Sequence, residues 1–216
     1  MCPYDRPFLG PLYAWNAAYS RSTGVKLPAM ISLLLHFLVE RLKNRGAAPV
    51  VQPNERRIEV FRADAKAEKD LIVMGGWDSS NGQSPAEAAW YSTELSKETA
   101  PWAYRRGDPF RVIASLELLA ALLSLIWLVP PRAGTTEATA RLVGLTDNQG
   151  NSYLLAKMMT SRFPLCVVLM ELAVQMELRG VYLHGEWTPR DQNTEADALT
   201  MASSTTSTRR KGSMQT

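Results

Sequence analysis

The spacing of apolar residues changes along this chain, and the changes mark out its elements. Over residues 26–45 the apolar side chains Met30, Ile31, Leu34, Leu35, Leu38 and Leu42 recur at the three-and-four spacing of a helix. Arg41, Lys43 and Arg45 ahead of Gly46 supply the cationic end and glycine stop that close such a helix. Pro49, Pro53 and Asn54 make residues 47–57 read as a linker. Residues 1–55 are therefore expected to form a separate, mostly helical extension.

From Ile58 the period shortens. Ile58-Glu59-Val60-Phe61-Arg62-Ala63-Asp64 has the texture of a strand that ends on an acid. Leu71-Ile72-Val73-Met74-Gly75-Gly76-Trp77 predicts a second strand, reached through a charged turn at residues 66–70, and Ala88-Ala89-Trp90-Tyr91-Ser92 a third. Together they predict an antiparallel meander. Residues 112–129 are nearly all apolar, and Pro130-Pro131 ends that helix. The stretch reaches membrane-spanning length, but an ionised Glu117 inside it would be costly in a bilayer, so a buried helix is expected instead. The other apolar run, residues 27–39, is too short and contains Pro28 and His36.

The second half alternates. A strand over residues 141–146 leads to Asp147, helices follow over 152–160 and 164–179, and Gly180 stops the second. A last strand covers 181–187 and a short helix 194–200. This order predicts an α/β fold with a mixed five-stranded sheet, an antiparallel meander plus parallel strands, flanked by helices. Residues 203–216, rich in Ser, Thr, Arg and Lys, are expected to be a disordered tail.

Composition narrows the chemistry. Of 216 residues, 46% are hydrophobic and 21% charged, as in ordinary soluble domains, and disorder throughout is excluded. A net charge of +3 is too mild to announce a nucleic-acid partner by itself. The two cysteines, Cys2 and Cys166, and two histidines, His36 and His184, are spaced for neither zinc nor a disulfide framework. With no apolar secretory core in the first residues, this favours an intracellular setting, cytoplasmic or nuclear. A bound metal would then need mostly oxygen ligands, which points to magnesium or manganese.

Four acids could supply those ligands. Asp64 ends the first predicted strand, Glu117 lies among Leu116, Leu118, Leu119, Leu122 and Leu123, Asp147 follows the fourth strand, and Asp197 opens the last helix. Strand ends and helix starts are where α/β sheets place their chemistry. Acids gathered there repel one another, and hard cations offset the repulsion. Singly, each acid also fits an ordinary role: Asp197 as a cap, with Thr194 forming a capping box, Asp147 as a turn acid, Glu117 as a helix-start acid.

Four blocks make the pattern specific. Phe61-Arg62-Ala63-Asp64-Ala65, Leu116-Glu117-Leu118-Leu119-Ala120, Thr146-Asp147-Asn148 and Asn193-Thr194-Glu195-Ala196-Asp197-Ala198-Leu199-Thr200 stand in the order found in ribonuclease H domains fused to reverse transcriptases. With Trp187-Thr188-Pro189-Arg190 ahead of it, the last block resembles the form in DIRS-like and related retroelements. The resemblance covers residues 58–201. It implies a ribonuclease-H-like fold, with Asp64, Glu117, Asp147 and Asp197 as metal-binding and catalytic acids. It also implies two Mg2+ (or Mn2+) ions and cleavage of the RNA strand of an RNA–DNA hybrid. Arg6-Pro7-Phe8-Leu9-Gly10-Pro11-Leu12-Tyr13 is similar to the segment after the polymerase palm, so a palm and fingers portion outside this chain is an expected partner. The polymerase's paired-aspartate motif does not occur in the chain.

An RNA–DNA hybrid is recognised through backbone shape and 2′-hydroxyls, which call for polar side chains. Asn148, Gln149, Asn151, Ser152, Arg190 and Asn193 are candidate substrate contacts, and Arg105, Arg106, Arg111 and Arg162 candidate phosphate partners. Trp77, Trp90, Trp102 and Trp187 are expected in packing rather than as stacking platforms. Residues 188–193 lack the histidine that many family members carry near the final aspartate, and His184 falls in the last predicted strand. A second expectation follows, a catalytically silent module of the same fold that holds nucleic acid or serves structure.

Overall fold

A computed structural model of the protein describes residues 3–44, 58–80, 87–131 and 140–201. The linker at 47–57 and the tail at 203–216 lie outside the described residues.

Period-2 alternation builds the first three strands. Strand β1 (Ile58–Glu68) pairs antiparallel with β2 (Leu71–Asp78) from Phe61↔Asp78 to Glu68↔Leu71, and β3 (Trp90–Leu95) pairs antiparallel with β2. Asp64 thus sits mid-strand, not at a strand end as expected. The charged residues that suggested a turn continue the alternation: Ala65 and Ala67 are buried, while Lys66 and Glu68 form an ion pair at 3.3 Å on the other face. The chain turns only at Lys69, which adopts left-handed backbone (φ 55°), and Asp70.

Helix α3 (Pro101–Tyr104) and a 3-10 turn (Pro109–Val112) lead into α4 (Ile113–Leu128). Leu116, Leu118, Ala120, Leu122 and Leu125 of α4 are buried. By length and composition Pro109–Leu128 could cross a membrane. Here α4 lies against β1, β2 and helix α6 (Leu165–Arg179).

Strand β4 (Ala140–Thr146) runs parallel to β1, and β5 (Val181–Trp187) parallel to β4. Helix α5 (Gln149–Lys157) starts three residues earlier than expected because Asn148 caps it, its Oδ1 accepting from the Asn151 N–H at 3.1 Å. Gly180 (φ 61°) stops α6 as its position predicts, and α7 (Thr194–Met201) follows β5. The sheet order is β3-β2-β1-β4-β5. The mixed five-stranded sheet with flanking helices is therefore present. Phe61, Ile72, Met74, Leu169, Leu172, Met176 and Leu183 fill its main core, and Trp77, Ala88 and Ala196 form a smaller cluster under α7.

At the N-terminus, a 3-10 turn (Pro3–Asp5) precedes α1 (Arg6–Tyr19) and α2 (Ala29–Asn44). Pro7, Gly10 and Pro11 disguise α1 in the sequence. Gly10 lies so close to the Thr160 backbone that a Cβ would not fit. The Tyr4 hydroxyl donates to the Val181 carbonyl at 2.9 Å, and Arg41 donates to Asp5 (2.8 Å) and Glu177 (2.7 Å). These contacts hold the N-terminal helices against α6.

Candidate active site

Strand register fixes where the acids stand. Asp64 pairs with Gly75, which pairs with Ser92, so all three side positions share one face of the sheet. Helix α7 packs on that face. A Cβ added at Gly75 would lie 2.7 Å from the Leu199 Cβ, and the Ser92 hydroxyl donates to the Leu199 carbonyl at 2.8 Å. Asp197, half-buried on α7, is thereby brought to the face that carries Asp64. Asp64 itself is only 6% exposed.

The next row of the sheet points the other way. Ala63 pairs with Gly76, and a Cβ on Gly76 would strike Ser124 of α4 and the Tyr91 ring. Glu117, half-buried in the second turn of α4, therefore approaches from the face opposite Asp64. Asp147 follows the last residue of β4. Arg62 is level with Leu145, and carrying that register forward sets Thr146 opposite Ala63 and Asp147 level with Asp64, just past the end of β4.

The backbone around Asp147 is held on several sides. The Trp187 indole N–H donates to the Asp147 carbonyl at 3.0 Å, the Thr188 N–H to the Thr146 carbonyl at 3.0 Å, and the Asn148 N–H to the Thr146 hydroxyl at 3.2 Å. The side chains that the four acids and their amide neighbours offer are oxygen donors, the kind that suits a hard divalent cation. Among the described residues, however, no three His, Cys, Asp or Glu side chains gather closely enough to hold a metal ion.

Asn193, rather than Thr194 of the expected capping box, stands ahead of α7. The Thr194 hydroxyl donates to Glu195 at 3.2 Å, while the Asp197 N–H donates to the Asn193 carbonyl at 3.1 Å, which puts Asn193 at the cap position of α7. The candidate substrate contacts also divide. Gln149 is exposed beside Asp147, but Asn148 is engaged as a cap and Ser152 donates to the Gly185 carbonyl at 2.9 Å. Asn151 is 3% exposed, and its side-chain amide donates to the Ala114 carbonyl (2.9 Å) and to Glu117 (3.4 Å). Asn193 is 1% exposed, and neither its amide nitrogen nor its oxygen meets a hydrogen-bond partner. The Arg190 side chain lies outside the described residues. Arg105, Arg106, Arg111 and Arg162 are exposed.

Two residues at the site differ from their expected parts. Trp187 was expected in packing, yet its side is 51% exposed. Arg62, not singled out by the sequence, donates to Glu59 (2.9 Å) and the Gln192 carbonyl (2.8 Å) and lies 5.8 Å over the Trp77 ring. It ties the loop before α7 to β1. Its sequence signal was its place two residues before Asp64, on the same face.

No family model and no curated protein matches the chain. Solved structures do. RNase H1 from the halophilic archaeon Halobacterium salinarum NRC-1 matches with a TM-score of 0.43 at 16% identity, over 67% of this chain and 94% of that one. The N-terminal RNase H domain of a Mycobacterium tuberculosis protein, solved as a fusion with maltose-binding protein, matches with a TM-score of 0.45 at 17% identity, over 67% and 91%. At this distance the likeness carries no residue role or activity to this chain.

Proposed function

We propose that the chain is a divalent-metal-dependent ribonuclease H that cleaves the RNA strand of RNA–DNA hybrids, within the reverse transcriptase of a retroelement. The observation that carries the reading is Asp64, a carboxylate buried mid-strand on the central strand of the sheet, beside the parallel strand β4 that Asp147 directly follows. A buried carboxylate is costly to fold, and such groups concentrate at functional sites.

Asp64 and Asp147 would hold two magnesium or manganese ions, with Asp197 reaching them from α7 and Glu117 from α4. Such ions, when bound, lower the pKa of an attacking water and offset charge on the leaving oxygen. Holding them requires the four carboxylates to turn toward one another, a step that like-charge repulsion opposes until a cation is present. Gln149, exposed two residues after Asp147, would meet a sugar or phosphate of the bound strand. With a net charge of only +3, much of the affinity would come from a palm and fingers portion outside this chain, in an intracellular setting.

The test is incubation of the purified chain with end-labelled RNA–DNA hybrid, single-stranded RNA and duplex DNA, with and without magnesium or manganese. Cutting confined to the RNA of the hybrid, and only with metal, supports the proposal. A silent module of the same fold is the second reading, favoured by the ungathered acids among the described residues and by residues 188–193, which lack a histidine. It predicts that the hybrid is bound and left intact.

A further inference from the structure

We propose that Trp187 contacts substrate directly, its indole ring forming a stacking platform for a nucleotide of the strand bound beside Asp147. The inference rests on the ribonuclease H reading and deepens it by assigning a binding role to a residue outside the four acids.

Trp187 is the last residue of β5, at the end of the sheet where Asp147 follows β4. Its side chain is 51% exposed, whereas Trp77 beneath α7 is 7% exposed. An exposed tryptophan gives up apolar burial that a core position would supply. Its ring nevertheless has a fixed orientation, because its only polar group donates to the Asp147 carbonyl at 3.0 Å. The Thr188 N–H, bonded to the Thr146 carbonyl at 3.0 Å, holds the backbone beside it. The ring is therefore oriented before anything binds, so little side-chain entropy is left to lose.

The chemistry of the ligand follows from what remains free. The indole donor is occupied, so the exposed surface offers a flat π-face and no hydrogen bond. Such a face suits a nucleobase or the apolar side of a ribose, and it does not depend on base identity. Because the same hydrogen bond joins the ring to the residue that carries the Asp147 carboxylate, a strand whose phosphate lies at that carboxylate has an adjoining nucleotide within reach of the ring. Exposed Gln149, two residues after Asp147, adds an amide suited to a 2′-hydroxyl.

The test measures binding of a fluorescein-labelled RNA–DNA hybrid by anisotropy in EDTA, where no cutting occurs, for wild type, W187F and W187A. Thermal melting of each variant confirms folding. W187A is expected to bind at least about five-fold more weakly, while W187F, which keeps a ring and loses the N–H, stays within about two-fold of wild type. Equal weakening in both variants would mean that the N–H bond matters and the ring does not, which overturns the platform. Wild-type affinity in W187A also overturns it. A wild-type chain that binds no hybrid overturns the platform, whereas one that binds it and cuts no RNA in manganese overturns the ribonuclease H reading instead.

Discussion

The side-chain amide of Asn151 joins two helices and an acid: it donates to the Ala114 carbonyl at 2.9 Å and to the Glu117 carboxylate at 3.4 Å. Its own N–H is bonded to Asn148, the residue after Asp147. Glu117 and the Asp147 turn are thus linked through α5, although they belong to different elements. Replacing Asn151 by leucine keeps the bulk and removes the donor. Leaving the half-buried Ala114 carbonyl and Glu117 without this donor is expected to cost about 1–3 kcal/mol, read by urea denaturation. Unchanged stability in N151L would show that the amide holds nothing.

Gly75 sets how closely α7 approaches the sheet. A Cβ there would stand 2.7 Å from the Leu199 Cβ, so G75A must push α7 away from β2 or force Leu199 aside. A loss of about 1–3 kcal/mol is expected, with a larger loss of hybrid cleavage, because Asp197 moves with its helix. G76A offers a contrast. It collides with Ser124 and Tyr91 on the opposite face, so it should destabilise the core without displacing α7. Amide exchange of residues 194–201 separates the two variants.

Arg41 bridges Asp5 and Glu177, both partly buried, and its guanidinium lies 5.9 Å from the Phe8 ring centre and 5.3 Å from that of Phe37. R41M retains the stem and loses both ion pairs. The expected result is a drop of about 1–3 kcal/mol, since these are charge-assisted bonds at partly shielded sites. Protease sensitivity of α1 and α2 should rise while that of the sheet stays unchanged. Equal protection in R41M and wild type would contradict the anchoring role.

Much of the sheet was legible in the sequence because its signals are local. Val181–Trp187 reads as a strand from alternation, and Gly180 marks the end of α6 at the observed place. The continuation of β1 past Asp64 was not legible. Lys66 and Glu68 look like a turn until β2 is present to pair with them. Helix α1 was hidden by Pro7 and Pro11, which local propensity counts against a helix even where the first turn tolerates one. The acids could be chosen from their sequence blocks. Their division between the faces depends on the pairing Asp64↔Gly75 and on where α7 packs, and both are long-range facts. Burial of Asn151 and Asn193 and exposure of Trp187 likewise depend on neighbours distant in the chain.

The measurement that bears most directly on the central claim compares initial rates of RNA-strand cleavage in a labelled hybrid by wild type and D64N, in manganese. Wild type is expected to cut only with metal, and D64N to cut at no detectable rate. D64N is also expected to melt close to wild type, because the amide keeps the shape of the buried carboxylate and removes its charge. Equal cleavage by the two proteins would contradict the central claim.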